Sequence, residues 1–191
     1  RRWLYWLFQA KKRYGMCILA YTLMSNHIHL LVMDDFRRNV IPASMDLISG
    51  RVAQEFNNRK ERVGAFWQDR YHATAIESGE HFRNCMTYID LNIVRAGVTR
   101  NPGDWPFCSY NEIFSNRQRY NLIDWPALLR AVGVRDRESF RAAYPEWLEG
   151  GLKGWALKRD ARWSESLAVG SKDFVEASTQ ALADRIKRRK I

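Results

Sequence analysis

Along the first hundred residues the apolar positions change period several times, and each change predicts an element. Trp3, Leu4, Trp6, Leu7 and Ala10 recur at helical spacing, with Lys11, Lys12 and Arg13 leading into Gly15. That pattern predicts a helix to about Tyr14, closed by cations that suit the negative helix end and by a glycine that can turn left-handed. The unbroken apolar run Met16 to Leu23 is short for a helix and bounded by turn residues, so it reads as a buried strand. His27 to Met33 follows as its hairpin partner. Ile41, Met45, Ile48, Val52 and Phe56 then mark one face of an amphipathic helix. Arg70 to Glu77 reads as a third strand, and His81 to about Ala96 as a second amphipathic helix stopped by Gly97.

Helix, strand, strand, helix, strand, helix is an α+β order. It becomes a ferredoxin-like antiparallel sheet with helices on one side if one strand precedes Arg1. Asn101, Pro102, Gly103 and Asp104 then punctuate the chain, and shorter helical pieces follow, broken by Pro106, Pro126, Pro145, Gly150 and Gly151. The expected organisation is a catalytic domain over residues 1–100 and a small helical appendage over 101–191.

Charge narrows the class of partner. The 191 residues carry 31 Lys and Arg against 21 Asp and Glu, a net charge of +10, spread along both halves. Such an excess favours a polyanion, because each cation that neutralises a phosphate releases counterions. A basic enzyme with no nucleic-acid role would show the same balance. The closing Lys187, Arg188, Arg189, Lys190 run attracts phosphate or is simply a solvated terminus. Cys17, Cys85 and Cys108 are odd in number and lack close spacing, which argues against a disulfide framework or a zinc site and fits a reducing cytoplasm. No apolar run approaches the roughly 20 residues that span a bilayer, so no membrane partner is expected.

Two local patterns carry chemistry. In His27-Ile28-His29 the strand alternation sends both imidazoles from one face, roughly 7 Å apart at the backbone, where neutral rings can share a metal ion. Ile28, Leu30 and Val32 would pack under a helix on the other face, leaving the histidine face as the exposed or functional one. An isolated pair of this kind is more often two ordinary strand histidines. In the later helix, Phe82, Cys85, Met86, Ile89, Ile93 and Ala96 complete a core stripe without Tyr88. Tyr88 falls instead on a polar stripe with His81, Asn84, Asn92 and Arg95, Tyr88 and Asn92 being neighbours one turn apart. A phenol can form a covalent intermediate, an amide oxygen can ligate a hard cation, and a guanidinium can grip phosphate. A boundary tyrosine beside a solvated Asn and Arg is the plainer alternative.

MSNHIHLLV at 24–32, FWQDRYHATAIES at 66–78 and YIDLNIVRAGV at 88–98 occur in this order, and with them the chain resembles the REP-associated tyrosine transposase branch of the bacterial single-tyrosine HUH transposases. WPFCSYNEI at 105–113 and VGSKDFVE at 169–176 extend a weaker similarity into the second half. The resemblance implies a DNA transposase that cuts and rejoins single-stranded hairpin DNA through a 5′-phosphotyrosine, with Tyr88 as nucleophile. It implies that His27, His29 and Asn92 hold Mg²⁺ or Mn²⁺, that the protein works at the bacterial nucleoid, and that it can form a homodimer. Where the family usually has proline after the helix Asn, Ile93 stands here, a position on the core stripe that leaves the reacting groups untouched. Arg51, Arg70, Tyr71 and Arg95 are the expected DNA contacts, since cations track a backbone and aromatics stack on unpaired bases. Two other classes remain open: a domesticated hairpin-binding protein that no longer cuts, and a metal-dependent hydrolase that uses the histidine pair and never traps protein on DNA.

Overall fold

A computed structural model describes residues 1–34, 39–115 and 119–188. Helix α1 (Arg2–Tyr14) ends where Gly15 adopts φ 74° and its N–H closes on the Lys11 carbonyl. The stop residue works as expected, because a left-handed C-terminal residue costs glycine no Cβ clash. Strands β1 (Cys17–Leu23) and β2 (Ile28–Met33) form an antiparallel hairpin from Cys17 opposite Met33 to Leu23 opposite Ile28, with an irregularity between Ile18 and Ala20. Helix α2 (Val40–Arg59) packs along α1, with Trp6 donating its indole N–H to Glu55. Of its expected apolar face only Ile48 is fully buried.

Helix α3 (Glu80–Asp90) and a further turn α4 (Asn92–Arg95) continue almost without a break: Leu91 N–H bonds Thr87 and Arg95 N–H bonds Leu91. Phe82, Cys85, Met86, Ile89 and Ile93 are buried as the periodicity requires, while Ala96 lies past the helix end and is exposed. One expectation needs correction. Tyr88, which the stripe leaves outside the core, is only 3% exposed, because chain from beyond residue 150 covers it. On the histidine face of β2, His27 is exposed and His29 is half-buried, its ring 6.0 Å from that of Tyr88 on α3.

The stretch read as a third strand forms a ladder only at β3 (Ala75–Ile76), and its partner is not the hairpin. It pairs in parallel with β4 (Ala168–Val169). A strand exists only where a neighbour supplies its hydrogen bonds, and among the described residues none does so for residues 70–74. The result is α+β with two separate two-stranded sheets.

Beyond residue 100 come α5 (Ser109–Phe114), α6 (Trp125–Val132), α7 (Arg137–Leu152), α8 (Arg162–Glu165) and α9 (Lys172–Arg188). Asp124 and Asp136 cap α6 and α7 by accepting from the backbone N–H three residues on, as N-cap carboxylates do. This half fills the outer edge of β1. Leu23 N–H donates to Phe107, Asp124 N–H to Ile18 and Tyr21 N–H to Ser109 Oγ. One apolar cluster runs from Leu7, Ile18 and Leu19 through Met86 and Leu91 to Ile113, Leu128, Phe140 and Tyr144. Inside it lies a polar node: buried Asp90 accepts from Ser109 Oγ at 2.7 Å and from the Tyr144 hydroxyl at 2.6 Å. Burial pushes the Asp90 carboxyl up to about 6 despite those donors, and the node ties α3 to α5 and α7. Among the described residues no helix is long and apolar enough to cross a membrane. The Arg189–Lys190 end of the basic terminus lies outside the described residues.

Candidate active site

The site forms where the turn end of the hairpin, closed by the Met24 N–H bond to the His27 carbonyl, meets the last turns of α3. The register pairs Thr22 with His29, so the buried β1 fixes the height of the imidazoles. Asp90 locks the opposite side of α3, and this sets the rotation of the helix that carries Tyr88 and Asn92. Both constraints come from the core, on which the site's geometry therefore depends.

The His27 and His29 rings lie 5.1 Å apart between centroids, edge to face. His27 is exposed and His29 half-buried. Burial, with the nearby charges of His27 and Arg95, pushes His29 down to about 4, so it is neutral at pH 7 with a lone pair to offer. His27 Nδ1 lies 2.8 Å from Asn26 Oδ1 and its Nε2 lies 3.3 Å from Asn92 Oδ1. A neutral imidazole has one N–H. If it is spent on Asn26, the Nε2 lone pair faces a carbonyl oxygen, two acceptors with no proton between them. A divalent cation relieves that arrangement, because adjacent ligands with bonds of about 2.1 Å sit about 3 Å apart. Among the described residues the buried Asn92 Nδ2 has no hydrogen-bond partner, so none of them fixes this side chain through its amide donor. The set of two imidazoles and one amide oxygen therefore fits a cation. Among the described residues no cluster of three His, Cys, Asp or Glu offers a rival site.

Tyr88 stands beside this set. Its ring lies 6.0 Å from the His29 ring at a steep angle and 5.9 Å from the Trp163 ring. The Arg95 guanidinium carbon sits 3.8 Å from the Tyr88 ring centroid, and Arg95 Nη1 donates to the Ala156 carbonyl at 2.9 Å. Thus His27, His29, Tyr88, Asn92 and Arg95, drawn from two distant motifs, converge. The other expected DNA contacts lie elsewhere. Arg51 is exposed on α2, 5.5 Å from the Trp6 ring, and Arg70 and Tyr71 are exposed in the connection before β3, Tyr71 at 46%. Trp163 and Ala156 could not be assigned to the site from sequence. One is a tail tryptophan like several others, and the other acts through its backbone.

Comparison with known proteins bears on the first half of the chain. No curated protein and no solved structure matched. The family described as Transposase IS200 like matches residues 2–92, a little under half of the chain. That stretch runs from α1 through both histidines and Tyr88 to Asn92, so the similarity covers the residues of the site.

Proposed function

We propose that the protein cleaves and rejoins single-stranded hairpin DNA as a REP-associated, single-tyrosine HUH transposase. The observation that carries this reading is the convergence of His27, His29 and Asn92 beside Tyr88. Tyr88 is the nucleophile: its Oη bonds to phosphorus as the P–O3′ bond breaks, leaving a 5′-phosphotyrosine and a 3′-hydroxyl that takes up a proton. The reverse step, with another 3′-hydroxyl attacking, rejoins strands and needs no added energy source. His27, His29 and Asn92 would hold Mg²⁺ or Mn²⁺, which as a Lewis acid polarises a phosphate oxygen when bound. Neutral His29 keeps its lone pair available at pH 7, and the basic chain draws the polyanion in. Tyr88 is 3% exposed, with the Arg95 guanidinium and the Trp163 ring among the groups beside it.

The frame is read as a ferredoxin-like sheet with helices on one side. Residues 1–100 form the catalytic unit and 101–191 its helical appendage. Arg70 and Tyr71 remain the exposed candidates for unpaired bases, and hairpin DNA and a homodimer follow from the same resemblance.

Labelled hairpin DNA is incubated with the protein and with Tyr88→Phe, in Mn²⁺ or EDTA, and run on a denaturing gel. A metal-dependent covalent adduct is expected in the wild type and absent from the variant. Equal binding by both with neither adduct nor cut strand would replace this reading with a hairpin-binding protein, and cutting without an adduct would favour a hydrolase.

A further inference from the structure

From its place on the polar side of the helix, Arg95 is expected to grip DNA phosphate. Its surroundings give it a different task. The guanidinium lies 3.8 Å from the centroid of the Tyr88 ring, well within the distance at which a cation is held by an aromatic face. The same group is pinned by its hydrogen bond to Ala156, whose side chain is fully buried between α4 and the turn Trp155–Leu157. Arg95 is half-buried, and Asp160 adds a favourable charge from the same segment. A guanidinium tied by one N–H to a backbone carbonyl and lying over a ring is held in one orientation relative to that ring. Among the described residues its aromatic neighbours, His29 and Trp163, lie farther off, at about 6 Å between ring centroids.

We infer that Arg95 is a positioning residue for the tyrosine nucleophile and does not read DNA. It holds the Tyr88 ring against the histidine pair in one orientation and presents a fixed positive charge to the phenol oxygen as it gives up its proton. A fixed ring reduces the orientational freedom lost in reaching an attack geometry, and misplacement of a reacting group by about 1 Å can cost about 100-fold in rate. The inference rests on reading Tyr88 as the nucleophile, but its geometric half does not depend on activity.

The test uses full-length protein labelled with tyrosine carrying ¹³C at the ring carbon that bears oxygen, as wild type, Arg95→Met and Arg95→Lys. The Tyr88 resonance is assigned by its loss in Tyr88→Phe. Arg95→Met keeps the bulk and removes the charge. It should move and broaden the Tyr88 signal while the other seven tyrosine signals stay in place, and Arg95→Lys should return it part of the way. In single-turnover cleavage Arg95→Met should fall at least 10-fold, with hairpin affinity within about twofold of wild type and an unchanged salt dependence. A Tyr88 signal indifferent to Arg95→Met would overturn the inference. So would an affinity loss accompanied by a salt slope lower by about one, the mark of a lost phosphate contact. If the wild type makes no adduct, the nucleophile reading fails, and the resonance still decides whether Arg95 holds the ring.

Discussion

The two β-pairings of this molecule are built on opposite terms. The β1–β2 hairpin joins neighbours in sequence through a short turn, buries nearly all of β1, and carries the histidine pair. The β3–β4 pair joins residues more than ninety positions apart by two register pairs and holds itself with a surface clasp. In that clasp Ser171 donates its backbone N–H and hydroxyl to Glu77. The first pairing gains from burial and has little loop to close, whereas the second must offset a long closure with few contacts. Position in the assembly follows from this difference: the rigid pairing builds the site, and the weak one fastens the far end of the segment whose Trp163 lies over Tyr88.

Breaking the hairpin should have the largest effect. Ile18 is fully buried in β1 and bridges to Ile123, so Ile18→Ala is expected to cost about 2–5 kcal/mol, a large share of a typical domain's about 5–15 kcal/mol. Urea unfolding measures it, and a shift under about 1 kcal/mol would show that β1 is not the keystone claimed here.

A smaller effect comes from the polar join between β1 and the second half. Glu112 is buried, accepting from the Tyr21 hydroxyl at 3.1 Å and from Ile123 N–H at 2.8 Å, with Lys11 on the α1 side. Burial raises its carboxyl above the ordinary value of 4.5, although those donors and Lys11 oppose the rise. The folded chain therefore holds this proton more tightly than the unfolded chain. Its contribution to stability is greatest below pH 4.5 and declines as pH rises through the raised value. Glu112→Gln removes that term, so the variant should gain on wild type as pH climbs from about 4 to 7. Parallel urea midpoints across that range would contradict the assignment.

Breaking the clasp should have the smallest global effect. A Cβ at Gly170 would sit 2.6 Å from Glu77 Cβ and 2.6 Å from a Phe174 ring carbon, closer than atoms pack. Gly170→Ala should speed amide exchange at Ala75 and Glu77, which donate to Leu167 and Val169, and should leave the hairpin amides protected. Loss of hairpin protection as well would show that the two pairings unfold as one unit.

Much of the first half was legible in the sequence because its contacts are local. Helical spacing and Gly15 placed α1, a short apolar run between turn residues placed the hairpin, and the stripe from Phe82 to Ile93 oriented α3. Period-two alternation put His27 and His29 on one face, and the four-residue step put Tyr88 and Asn92 side by side. The sequence by itself determined which side chains could meet.

Only the tertiary structure decided what surrounds them. The burial of Tyr88, the partner of β3, the packing of α3 beside His29 and the anchoring of Arg95 to the Ala156 carbonyl all depend on contacts with chain far along the sequence. Periodicity reports which face of an element is apolar and says nothing about which distant segment covers it. That choice is made when the whole core closes, by the sum of burial and hydrogen-bond satisfaction across both halves.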